Sequence, residues 1–123
     1  METTIEAQYA AELKQSEIDH HTPTAGAMTN HILSNLMVEY VKLNQVKWYV
    51  KGRDYFALQP VYQQLLDLNI KHFAELGALL LDEDQKPSST TAELTKYSML
   101  EENGANKYQT ASDLVAGTIK DYD

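Results

Sequence analysis

Residues 47–59, KWYVKGRDYFALQ, separate two long amphipathic segments and decide the fold of this 123-residue chain. Before this stretch, apolar residues in 32–48 recur at the 3.6-residue period of an α-helix, and a second such pattern occupies 61–80. Gly52 is a natural C-terminal stop for the first helix, and Pro60 suits the first turn of the second. Two long helices joined by a turn of a few residues must pack antiparallel.

Further elements are predicted before this pair of helices. An apolar stripe at i, i+4 and i+8 within residues 3–18 predicts a short amphipathic surface helix. Residues 19–26 break that pattern and are interpreted as a linker, since proline and glycine disfavour helix there. Thr29 or Asn30 is predicted to cap the first long helix.

Two capping boxes follow the long helices. Thr90 with Glu93 predicts a short connecting helix over residues 92–100, and Thr110 with Asp113 predicts the start of a further helix that has only about three turns before the sequence ends. No strand-like alternation or repeat is present, so the predicted fold class is all-α.

Composition narrows the classes of function. The 18 acidic and 10 basic residues give a net charge of −8, which argues against strong DNA binding, because polyanion partners are normally met by basic patches. The absence of cysteine excludes thiolate metal sites and cysteine nucleophiles. No apolar run approaches the ~20 residues that cross a bilayer, so a cytoplasmic protein without a membrane partner is expected.

The stretch quoted above closely resembles the signature of the DNA-protecting mini-ferritin (Dps) family, in which one helix ends in His-Trp-x-Val-Lys-Gly and the next begins near Phe-x-Leu-His. The resemblance extends at lower identity over residues 29–123, which leaves 1–28 as an N-terminal helix and linker. It implies a ferritin-like antiparallel helical bundle that is incomplete in this chain, because the family's third bundle helix is longer and a fourth follows it. It also implies self-assembly into a dodecamer-like shell and a role in stress response, DNA protection and iron homeostasis.

The resemblance further implies an iron-oxidising centre at a two-fold interface, built from histidines and carboxylates. The matching positions here are Lys47, Gln59, Gln63, Ala74 and Ala78. Lysine repels a divalent cation, glutamine is a weak neutral ligand and alanine offers no ligand. We therefore expect ferroxidase activity to be lost at this centre, and no residue is assigned a catalytic role.

Other residues are candidates for metal or DNA contact. Imidazole and carboxylate ligands suit zinc or ferrous iron, and the available groups are Asp19, His20, His21 and His31; ordinary solvated residues are the alternative reading. Basic residues near the first turn, Lys42, Lys51 and Arg53, with Lys47 beside them, are candidates for contact with nucleic acid.

The turn also supplies the predicted structural and interface residues, which are Trp48, Tyr49, Gly52 and Phe56. Two other functions remain open at this level. One is an iron-storing ferroxidase that uses replacement ligands such as Glu75 or the histidines named above. The other is a truncated, non-functional fragment that exposes the apolar faces of residues 32–48 and 61–80.

Overall fold

The computed structural model describes the backbone of residues 2–21 and 24–123, and the side chains of residues 4–18 and 24–123. Within these ranges the chain forms five α-helices and one 3-10 helix and contains no strand, which confirms the all-α prediction. The elements are α1 Glu2–His21, α2 Ala25–Tyr49, α3 Tyr55–Asp82, α4 Thr91–Tyr97, the 3-10 helix Gly104–Tyr108 and α5 Ala111–Asp121.

Helices α2 and α3 form the antiparallel hairpin that the sequence predicts. Leu33, near the start of α2, packs with Leu80 near the end of α3. At the other end of the hairpin, Val46 packs with Tyr62. Gly52 in the connecting turn has φ +99°, a left-handed conformation that a side chain would disfavour.

The start of α2 differs from the prediction. Thr24 is the N-cap, and its side-chain oxygen accepts a hydrogen bond of 3.1 Å from the backbone N–H of Ala27. The prediction that Thr29 or Asn30 caps this helix is therefore wrong. The predicted linker 19–26 is also too long, because α1 continues through His21 and α2 begins at Ala25. A strong cap offsets the low helix propensity of the glycine that follows it.

Pro60 is another difference. It lies inside α3, since the helix begins at Tyr55 rather than near the proline. The first turn forms without Pro60, as the backbone N–H of Leu58 donates to the carbonyl of Asp54 at 3.0 Å. A proline at this position lacks the N–H that would reach the carbonyl of Phe56, so one hydrogen bond is missing early in α3.

Short helix α4 is clamped to α2 at both of its ends. Before α4, Asn30 donates to the Ser88 hydroxyl and accepts from the Ser88 backbone N–H, both at 3.0 Å. After α4, Asn35 accepts from the backbone N–H of Met99 at 2.7 Å. The Thr90 cap of α4 is confirmed, although the helix is shorter than the predicted 92–100.

Helix α5 packs against α2 and α3, whereas helix α1 contacts α4. The Thr110 cap of α5 is confirmed by a 3.2 Å hydrogen bond from the N–H of Asp113, and Leu114 of α5 enters the core beside α2 and α3. Helix α1 is held to α4 by a 2.7 Å ion pair between Lys96 and Glu17. None of the helices in the described ranges is both long and apolar enough to cross a membrane.

Candidate functional site

The five positions that correspond to the family's iron centre lie around and beyond the α2–α3 turn. Lys47 is in the last turn of α2, and the other four positions follow along α3. The Gln59 side chain folds back and donates a 2.9 Å hydrogen bond to the backbone carbonyl of Lys47. Two of the positions are therefore in direct contact, but through a neutral amide and a carbonyl.

The remaining positions offer no iron ligand set. Gln63 donates to the carboxylate of Asp67 at 3.0 Å, and the alanines at 74 and 78 are exposed. Among the described residues, no three histidine or carboxylate side chains are arranged to hold a metal ion. The side chains at the family positions, an ammonium, two amides and two methyl groups, do not fit an iron-oxidising centre.

The metal candidates are dispersed or lie outside the described side chains. The side chains of Asp19, His20 and His21 are outside those ranges. His31 is held by the bundle, because its Nδ1 lies 2.8 Å from the carbonyl oxygen of Tyr97. It lines a cavity of about 350 Å³ between α1, α2 and the end of α3. Glu75 is exposed on α3.

Aromatic residues at the turn face outward. Trp48 is 69% exposed and Phe56 is 83% exposed, so neither packs into the core of this chain. Phe56 makes an edge-on contact with Tyr55, with ring centroids 5.2 Å apart. The ammonium of Lys107 lies 5.2 Å from the ring centroid of Tyr49, so a cation–π contact ties the 3-10 helix to the end of α2.

The basic residues near the turn are not equivalent. Lys51 and Arg53 are exposed, and Arg53 makes only a long 3.7 Å ion pair with Asp54. Lys42, in contrast, pairs with Asp121 of α5 at 2.7 Å, and the two side chains are only 18% and 11% exposed. The structure therefore removes Lys42 from the basic surface that the sequence places at the turn.

A buried carboxyl group that the sequence interpretation did not single out lies close to that ion pair. Glu39 in the middle of α2 is 3% exposed, and neither of its carboxylate oxygens has a hydrogen-bond donor among the described residues. A signal was available, since Glu39 falls between Leu36 and Leu43 on the apolar stripe of α2, where a charge is unexpected.

The pKa of Glu39 is raised from 4.5 to about 9, first by burial and then by the neighbouring Asp121, while Lys42 opposes the shift. Burial also raises the pKa of Tyr62 and of Tyr122 above 10.0. This cluster therefore holds protonated oxygen groups around a single ion pair. It lies toward the middle of α2, whereas the family's iron positions begin at the end of that helix.

Comparison with known proteins agrees with this architecture. The family model for the ferritin-like domain matches residues 27–123. The crystal structure of the DpsB protein of Lactococcus lactis MG1363 has a TM-score of 0.89 and 37% identity to this chain, and the match covers 99% of this chain and 70% of that one. Two curated relatives are General stress protein 20U of Bacillus subtilis (strain 168), 31% identical, and DNA protection during starvation protein 2 of Bacillus anthracis, 30% identical; each match covers 76% of this chain.

The helical fold and the matched domain model define a ferritin-like protein. Within that class, the sequence identity and the near-complete structural match show that this chain belongs to the DNA-protecting mini-ferritin (Dps) family. The chain spans 63% of the length of the two curated relatives.

Proposed function

We propose that this chain is a subunit of a cytoplasmic, self-assembling Dps-like stress protein that protects DNA without oxidising iron at the family's usual centre. The observation that carries the proposal is the contact between Gln59 and the Lys47 carbonyl, because two positions that would need to hold iron ligands are instead joined by a neutral hydrogen bond. The names of the relatives, a general stress protein and a starvation protein, support the stress role.

Self-assembly is supported by the surface of the hairpin. Trp48 and Phe56 lie close together in sequence at its turn and are both largely exposed. Large aromatic side chains that are left in water at one site are typical of residues that become buried against another chain. We assign this turn to an interface between copies of the chain.

In this proposal DNA contacts Lys51 and Arg53, two cations of the turn that are exposed in the structure. With a net charge of −8 on the chain, such contact is weak and decreases with added salt. Protection of DNA would then depend on many subunits acting together, because each contributes few phosphate contacts.

The test is light scattering coupled to size-exclusion chromatography, performed on the chain and on Trp48→Ala, together with an aerobic ferrous iron titration. We expect an assembly of defined size that the substitution weakens, and iron oxidation no faster than in buffer. Met99→Ala is the matched control, since Met99 is also a large exposed apolar residue, at 70%, but lies beside Asn35 near the other end of α2. A monomer at micromolar concentration would contradict the assembly, and accelerated oxidation would contradict the loss of iron chemistry.

A further inference from the structure

Glu39 presents a problem of charge that the family resemblance does not explain. Its carboxyl group is buried, and among the described residues no N–H or O–H group donates to either oxygen. An ionised carboxylate in such a place is costly, so it must be neutralised by a proton or a cation.

The titratable groups around Glu39 come from three helices and one C-cap: Lys42 from α2, Tyr62 from α3, Asp121 from α5, and Tyr122, the C-cap of α5. The hydrogen-bond donors nearest to Glu39 bind other groups. The Lys42 ammonium donates to one Asp121 oxygen at 2.9 Å and lies 2.7 Å from the other. No ammonium hydrogen bond is directed to Glu39.

The Tyr62 hydroxyl also makes its hydrogen bond elsewhere, because its partner Thr118 has only one proton to donate. The hydroxyl of Thr118 donates to the backbone carbonyl of Leu114 at 3.1 Å. In the 2.7 Å contact between Tyr62 and Thr118, Tyr62 must therefore be the donor. The remaining polar contact of Glu39 is with Asp121, a carboxyl group facing a carboxylate, and such a contact is attractive only when one of the two carries a proton.

We propose that Glu39 carries this proton and donates it to Asp121, so that α5 is held against α2 by a protonated acid, and that lowering the pH tightens the docking of α5 while raising the pH loosens it. The Lys42 ammonium already neutralises Asp121 and would repel a second cation, which favours a proton over a metal ion at Glu39. This docking of α5 within the chain is independent of DNA contact and of iron.

The direction follows from proton linkage. The pKa of Glu39 is about 9 when α5 is docked, because of burial, and would return toward 4.5 when α5 separates and water reaches the group. Docking therefore binds a proton at pH values between 4.5 and 9, and its equilibrium constant should fall about tenfold for each pH unit in that window. Tyr62 and Tyr122, whose pKa values are raised above 10.0, stay protonated throughout.

The experiment is amide hydrogen exchange of residues 111–121 between pH 6 and 8.5, corrected for the intrinsic pH dependence of exchange. The wild-type chain is compared with Glu39→Gln, which keeps a hydrogen-bond donor but cannot ionise. Glu75→Gln, which removes an exposed carboxylate from α3, is the matched control. We expect protection of α5 to fall about tenfold per pH unit in wild type and in the control, and to be flat in Glu39→Gln.

An equal decline in Glu39→Gln, or a flat profile in wild type, would overturn the proposal. If Glu39→Gln does not fold, a carbon-13 titration of the Glu39 carboxyl group in the wild-type chain decides the question, since a midpoint near 4.5 also overturns it. Adding Mn²⁺ at pH 8.5 separates the two ways of neutralising the group. Unchanged protection supports the proton, and increased protection that requires Glu39 would replace the proton with a metal ion.

Discussion

The middle and the end of α2 differ in whether their polar groups are hydrogen-bonded. At the end, where the family would hold iron, Lys47 and Gln59 satisfy each other through a carbonyl and an amide. In the middle, Glu39 is buried with neither oxygen satisfied by a donor in the described part of the chain. The end of α2, which resembles the family's iron centre, has its polar groups hydrogen-bonded to each other. The middle of α2, which matches no family motif, holds a buried carboxyl group without a donor among the described residues.

The residues that resemble the family motif are therefore not the residues with the largest expected effect on stability. The turn within residues 47–59 needs Gly52, whose φ is +99°, and the hairpin needs its core contacts. The side chains at the five family positions are exposed or half-buried, so their replacement leaves no buried group unpaired. A buried acid in the core affects stability directly and is therefore the better indicator of a constraint that acts on this chain.

The largest expected effect is that of Lys42→Met. Removing the ammonium leaves Asp121 buried beside Glu39 without a cation, which should lower the free energy of unfolding by about 3 kcal/mol at pH 7. Chemical denaturation measures the change. Lys96→Met is the control, because its pair with Glu17 is 59% and 49% exposed and should contribute less than about 1 kcal/mol. Equal losses in the two variants would remove the contrast between buried and exposed pairs.

The next effect is a gain of stability in Glu39→Leu. Because burial raises the pKa of Glu39, stability from its protonated form is fully present below pH 4.5 and is lost as the pH rises toward about 9. Leucine avoids that loss, so the advantage of the variant over wild type should grow by about 2 kcal/mol between pH 5 and pH 6.5, because the loss in wild type is about tenfold in the unfolding equilibrium for each pH unit. Thermal unfolding across this range tests the prediction, with the exposed Glu75→Leu as control; an advantage that does not change with pH would contradict it.

The smallest effect is expected at the end of α2. Gln59→Ala removes the hydrogen bond to the Lys47 carbonyl, which is partly buried and should contribute about 0.5 kcal/mol. Iron oxidation should not change. Gln64→Ala, which removes an exposed amide of α3 outside the five family positions, is the control for both measurements. A loss above about 2 kcal/mol, or altered iron oxidation, would show that Gln59 belongs to a working centre.

The sequence predicts the helices well, because hydrophobic periodicity and capping boxes are local signals. The hairpin, its Gly52 turn and the caps at Thr90 and Thr110 follow from such signals and are confirmed. The start of α2 is predicted too late because Thr24, Thr29 and Asn30 are all able to cap a helix, and residue type alone does not choose among them. Thr24 caps the helix, which leaves Asn30 available to bind Ser88.

The five iron positions are inferred from the sequence through the register of a family motif. The cluster around Glu39 could not be assembled in the same way. Asp121 is more than eighty residues away from Glu39 along the chain, and only the packing of α5 brings the two together. An acid on an apolar stripe signals that a partner is needed, but the partner is identified by the fold.

The hydrogen bonds of Asn30 and Asn35 on α2 limit how long the chain segment around α4 can be. Asn30 fixes Ser88 and Asn35 fixes Met99, so the chain between these two points has to fit a set distance along one helix. An insertion or deletion within residues 89–98 would break one clamp or deform α4. The segment from Leu100 to Asn103 follows both asparagine contacts and is not limited by them. Differences in loop length among related chains should therefore occur there rather than around α4.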